Sequence, residues 1–173
     1  NTTVNGMTLS GSNTKTLSRF LTNNGTATIS GTGPLQISGG VTVTSSGAFN
    51  NSGTVDAQSG TLVLSGTVTN TGTLQVGSGA TLSVSTGLAS STFSSSTLHT
   101  GTYNVLGTMR LAGVDIVTNE ATIILDGSSS NLYSVASGTT DALAGFTTNA
   151  ATGSFTIQNG RNFTTAGAFS DAG

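Results

Sequence analysis

The 173-residue sequence predicts an all-β fold, a right-handed parallel β-helix (β-solenoid) with three short strands in each turn of about 19–20 residues. Three observations predict it. Glycine-headed units of five residues recur with apolar side chains at alternate positions. From Gly47 the corner glycines follow at Gly53, Gly60, Gly66, Gly72 and Gly79, always six or seven residues apart. Three such steps bring the sequence back onto itself, so that GTVDAQSGTLVLSG at 53–66 realigns with GTLQVGSGATLSV at 72–84 after one inserted residue.

The units are GTATI at 25–29, GTVDA at 53–57, GTLVL at 60–64, GTLQV at 72–76, GTYNV at 101–105, GTMRL at 107–111 and GSFTI at 153–157. Apolar residues with a period of two mark a strand with one buried and one wet face. Glycine before each strand is expected to supply the backbone freedom of a tight corner. Strands this short with two-residue corners do not make ordinary hairpins, whereas a solenoid stacks each on its equivalent one turn later. Right-handed coiling is the default for parallel crossovers.

The inward set then reads Ala27, Ile29, Leu35, Ile37, Val41, Val43, Val55, Leu62, Leu64, Val68, Leu74, Val76, Leu82 and Val84, continuing with Tyr103, Val105, Met109, Leu111, Ile123, Leu125, Phe155 and Ile157. On this assignment Leu74→Asp loosens the rod and Gln75→Asp is nearly neutral. Two stretches fit regular turns poorly. Residues 85–100 read as a Ser/Thr-rich surface loop, and within 126–146 a short helical turn over ALAGF is expected, capped by Thr140 or Asp141.

A longer repeat overlies the short one. Residues 32–53 align without gaps to 152–173, with nine of 22 positions identical, including Gly47-Ala48-Phe49 against Gly167-Ala168-Phe169. The pattern L-x-x-F-x-T-N recurs at 17–23 and 143–149. Residues 1–118 therefore read as one complete module and 119–173 as the first half of a second, joined in one continuous solenoid. A piece of a tandem array is expected, since the first copy runs on past the position equivalent to Gly173.

Composition excludes several functions. Gly, Ser and Thr make up 84 residues, while only 6% of the chain is charged, against roughly 25% in an average domain. Leu, Ile, Val and Phe nevertheless total 40, and their strict register argues for a folded chain over a flexible linker. Four basic residues, Lys15, Arg19, Arg110 and Arg161, make no patch for nucleic acid or an anionic membrane. No apolar run approaches the ~18 residues of a membrane span, so no membrane insertion by this segment is expected. Without cysteine there is no disulfide framework or thiolate site.

Runs such as GTVTNTGTLQVGSGATLSV and ATGSFTIQNGRNFTTAGAF resemble the repeat regions of very large bacterial surface proteins, the autotransporter and filamentous-haemagglutinin-like group. That resemblance covers most of the chain. It implies secretion, display at the cell surface and a role as adhesin or stalk. The partners expected are neighbouring repeat modules or further copies of the chain itself, with host or surface glycans besides. No functional residue carries over, because the repeats have no site motif.

No catalytic, cofactor-binding or metal-ligating residue is expected, no cofactor is called for, and the ligand-binding residues stay unassigned. Solenoid lyases and hydrolases need clustered acids. Here Asp56 points outward beside Gln75 of the next turn, and Asp115 and Glu120 read as solvated charges flanking a strand. His99 is the single histidine and reads as an incidental loop residue. Neither the calcium β-roll pattern nor a phosphate-binding G-x-x-x-x-G-K occurs. The reading is a non-enzymatic extracellular stalk or adhesin segment. An uncapped solenoid exposes strand edges, so end-to-end stacking into a filament is the alternative. Ice or carbohydrate binding ranks below both: outward threonine pairs occur at 26/28, 42/44 and 67/69, but a fixed step of 19 from Thr67 and Thr69 meets Thr86 and Leu88. Tyr103 falls on an inward position and Tyr133 stands alone, which leaves no aromatic platform for sugar.

Overall fold

A computed structural model describes residues 2–173. The chain is all-β, a parallel β-solenoid of about eight turns. Each turn visits three faces in order. The first face stacks seven strands, Thr2–Val4, Leu21–Asn23, Thr42–Ser45, Thr61–Leu64, Thr81–Val84, Thr108–Leu111 and Asn131–Tyr133. The third also stacks seven, from Lys15–Leu17 through Leu35–Ile37, Thr54–Ala57, Thr73–Val76, Thr102–Val105 and Thr122–Asp126 to Ser154–Gln158. The second face begins as four strands, Met7–Leu9, Ala27–Ile29, Phe49–Asn51 and Val68–Asn70. Its place in each later turn is taken by Thr97–Leu98, Thr118–Asn119, Thr148–Asn149 and Ser170–Asp171.

The register is that of the five-residue units. Leu74 pairs with Val55 on one side and Tyr103 on the other, and Leu62 lies between Val43 and Leu82. Like side chains therefore stack on like, and the interior is one apolar column. Twenty of the 22 residues expected to point inward are buried. The exceptions are Phe155, which is half-buried, and Ile157, which is 40% exposed. Both sit in the last strand of the third face, which has a neighbouring strand on one side only. Phe155 finds cover instead in an aromatic cluster, with its ring 4.8 Å from Phe146 and 5.1 Å from Phe163.

Three expectations need correction. First, the corner glycines Gly47, Gly53, Gly66 and Gly72 do not adopt the left-handed conformation; only Gly60 and Gly79 of that series do. The others are glycine because successive turns touch there: a Cβ on Gly66 would run into the Gly47 carbonyl, and one on Gly47 into the Gly25 carbonyl. Second, residues 85–100 are not simply a loop. They hold an antiparallel hairpin, Phe93–Ser94 against Thr97–Leu98, closed by Ser95 and Ser96. Third, ALAGF forms turns without a helix. Asp141 does cap it, since its Oδ1 accepts the Leu143 amide at 2.9 Å.

Turn length also varies. Thr61 pairs with Thr42 and Thr81, 19 and 20 residues away, but Thr73 pairs with Thr102 and Thr122 with Ser154. The extra residues leave at corners, as the 85–100 hairpin and the 134–147 segment, and the three faces resume in register after each.

Candidate functional site

Three sets of polar side chains are organised by this register. The first is internal. Asn51, Asn70, Asn119 and Asn149 end second-face strands and are all buried. Each lies where the chain turns toward the third face, so the corner's backbone groups have no ladder partner and need side-chain ones. Asn119 Nδ2 donates to the Ala121 carbonyl (2.9 Å), to Asn149 Oδ1 (2.9 Å) and to the Ser154 carbonyl (3.2 Å), while its Oδ1 accepts the Ala121 amide (3.1 Å). Asn51 Nδ2 likewise donates to Asn70 Oδ1 at 2.8 Å, and Asn149 Nδ2 to Asp171 Oδ1 at 2.9 Å. Asn23 serves the preceding corner, bonding the Gly25 carbonyl and Ser45.

Asn70 is the break in this column. Its Nδ2 has no hydrogen-bond partner, and neither does the Tyr103 hydroxyl in the core nearby. Burial pushes the Tyr103 phenol well above its ordinary pKa. The hairpin at 93–98 enters the second face directly after Asn70, and Thr92 rather than another asparagine meets it, its Oγ1 accepting the Asn70 amide at 3.1 Å.

The second set is on the outer surface. Asp56 points outward as expected, yet it is only 6% exposed because its neighbours cover it. Gln75 Nε2 donates to its Oδ1 (3.2 Å), Gln58 Nε2 to its Oδ2 (3.0 Å), and Asn104 Nδ2 to Gln75 Oε1 (2.9 Å). Beside this row run threonine columns: Thr54, Thr73, Thr102 and Thr122 on the third face, and Thr42, Thr61, Thr81 and Thr108 on the first. A fixed step of 19 does not find them, because the turn length changes. Two residues along the first face the neighbouring column reads Thr44, Val63, Ser83 and Arg110. The surface therefore carries single threonine files and no two-column lattice. Tyr133 is not alone either: the Arg110 guanidinium lies 4.9 Å from its ring centre.

The third set gathers around His99, which the sequence alone presents as an incidental loop residue. Ser94 and Thr97 face one another across the hairpin, Leu98 pairs with Asn119, and so His99 and Glu120 follow adjacent stacked positions. Side chains two apart in a strand share a face, which puts Ser94, His99 and Glu120 together outside. Glu120 Oε2 is 2.8 Å from His99 Nδ1, and Ser94 Oγ is 2.9 Å from His99 Nε2. The His99 and Glu120 side chains are 32% and 40% exposed. Asp115 is exposed, before the strand Thr118–Asn119 that Glu120 follows, so the two acids flank that strand.

The His99 arrangement fixes a tautomer. An ionised carboxylate only accepts, so Nδ1 must carry a proton toward Glu120, and in the neutral ring Nε2 is then the bare nitrogen that accepts from the Ser94 hydroxyl. No group of three or more metal-ligating side chains occurs among the described residues. No family model, no curated protein and no solved structure matches the chain.

Proposed function

We propose that this chain is a segment of an extracellular bacterial surface protein, a stiff β-solenoid serving as adhesin stalk or spacer. The observation that carries the reading is the pair of seven-strand parallel ladders with the asparagine column between turns. Every turn is tied to the next by backbone ladders, and on either side of the break at Asn70 by asparagine side chains too, which suits a rod that transmits force and resists proteolysis. Eight turns at ~4.8 Å make a rod on the order of 40 Å long. The low charge, the glycine- and threonine-rich repeats and the resemblance to autotransporter-like repeat regions support secretion and surface display. Neighbouring modules of the same kind are its partners along the axis.

A second reading, an end-to-end filament, is favoured by the apolar side chains in the outermost turns: Phe20 is 54% exposed in the first turns, and Ile157 and Phe169 are about 40% exposed in the last. Electron microscopy of the purified chain across a concentration series separates the two. Short rods of about 40 Å at every concentration support the stalk, and fibres with a ~4.8 Å axial repeat support the filament. Compact particles without an axial repeat would overturn both.

A further inference from the structure

The hydrogen-bonded row Ser94–His99–Glu120 bridges two adjacent turns of this rod. The ladders of all three faces are made by backbone groups and by the buried asparagines, and this row lies outside them on the outer surface. Its order is that of an activated nucleophile: a carboxylate orients an imidazole, and the imidazole accepts from a hydroxyl. The tautomer required of a general base is the one that Glu120 enforces.

Two further features bear on Ser94. It is the last strand residue before a two-residue turn in which Ser95 (φ +50°) and Ser96 (φ +59°) are both left-handed, a conformation that such turns normally give to glycine or asparagine. Non-glycine residues held there are uncommon, and they cluster at working sites. The amides of Ser95 and Ser96 donate to no carbonyl among the described residues, and Thr97, directly across from Ser94, adds a hydroxyl on the same face. The two amides that follow Ser94 in the chain are therefore left free to donate.

We propose that Ser94, His99 and Glu120 form a nucleophilic relay that cleaves acyl esters presented on this open face. The Ser94 Oγ bonds to the ester carbonyl carbon as its proton passes to His99 Nε2. The carbon–oxygen bond to the leaving alcohol then breaks, and that oxygen takes the proton from Nε2, leaving acyl-Ser94. Water attacks the acyl carbon, giving its proton to Nε2; the acyl–Ser94 bond breaks, the proton returns to Oγ, and a carboxylic acid departs. Glu120 stays ionised throughout and holds the imidazolium that forms twice. The site has no enclosing walls, so substrates are esters with small acyl groups carried on an accessible alcohol, and turnover is slow. The reading goes beyond the stalk function and is independent of it.

The test is labelling of the intact chain with a fluorophosphonate, located by peptide mass spectrometry, together with hydrolysis of p-nitrophenyl acetate. The expected result is label on Ser94 in preference to the other 24 serines. His99→Ala should slow labelling at least 100-fold, the contribution typical of a positioned base, and Glu120→Gln about tenfold. Hydrolysis should fall to background in Ser94→Ala. Label spread evenly over surface serines, or label on Ser94 that is indifferent to His99→Ala, would overturn the proposal. Because the first readout is on the unaltered chain, a variant that folds poorly does not decide it.

Discussion

Replacing Asn119 by alanine isolates what the internal asparagine column contributes. The side chain is fully buried and makes four bonds, three donated through Nδ2 and one accepted from the Ala121 amide. Alanine removes them all and strands the Ala121 amide and Asn149 Oδ1 away from water. A net hydrogen bond contributes ~0.5–1.5 kcal/mol and a stranded buried group costs ~1–3 kcal/mol. Because two N–H groups are shared among three acceptors, the loss should come to about 3–4 kcal/mol. Urea unfolding followed by circular dichroism measures it as a fall in midpoint at constant slope. The control is Asn50→Ala, exposed on the strand beside Asn51, which should change stability by less than ~0.5 kcal/mol. Asn119→Asp keeps the acceptor for Ala121 but loses every donation; it should be at least as damaging near neutrality and partly recover on acidification, when protonation restores one donor. If Asn119→Ala and Asn50→Ala unfold within ~1 kcal/mol of each other, the column is not a stabilising element and the reasoning fails.

Three more outcomes follow from the same geometry. Leu74→Asp buries a charge in the apolar column and should unfold the rod or cost more than ~4 kcal/mol, whereas Gln75→Asp, nearly neutral on the sequence alone, should cost about 1–2 kcal/mol by facing Asp56; Gln75→Lys should be neutral or mildly stabilising, and thermal melts at low and high salt check both. Gly66→Ala should be severely destabilising because its Cβ meets the Gly47 carbonyl, while Gly40→Ala, left-handed but in open space, should cost only ~1–2 kcal/mol in denaturant titrations. Tyr103 has a folded-state pKa raised by burial, so its contribution is intact below the unfolded tyrosine value of ~10 and is lost as pH rises above it. Absorbance at alkaline pH should accordingly show one tyrosine ionising only together with loss of the circular dichroism signal, and Tyr103→Phe should abolish that coupled step.

Strand positions and the in/out pattern were legible because side-chain alternation is a local property, readable within five residues. Phe49 and Phe146 were not placed, since neither sits in a glycine-headed unit, although both are fully buried. The asparagine column left a signal that a search for apolar periodicity passes over: the pair Thr-Asn ends the segments 21–23, 68–70, 117–119 and 147–149, where a polar residue takes the inward position. The threonine files and the Ser94–His99–Glu120 row were hidden for another reason. Both depend on which residues stack across turns, and two insertions shift that pairing from a step of 19 to steps as long as 32. A residue at one end of a lengthened turn has no arithmetical link in the sequence to the one it touches. The same holds for the glycines, whose conserved-looking spacing reports contact between turns as much as bending within one.

The asparagine column also has a direction. In each link the amide N–H points onward to the oxygen of the following turn, from Asn51 to Asn70, from Asn119 to Asn149 and from Asn149 to Asp171. Asp171 receives such a bond and has no N–H with which to pass one on. The rod is thus a one-way object, donor side leading and acceptor side trailing, with parallel strands that share the same sense. Two such rods meeting head to head would set their edge strands antiparallel, whereas head-to-tail contact continues the parallel ladders. Association along the axis is therefore heterologous by construction: it lengthens without closing, and it is not satisfied by a symmetric pair.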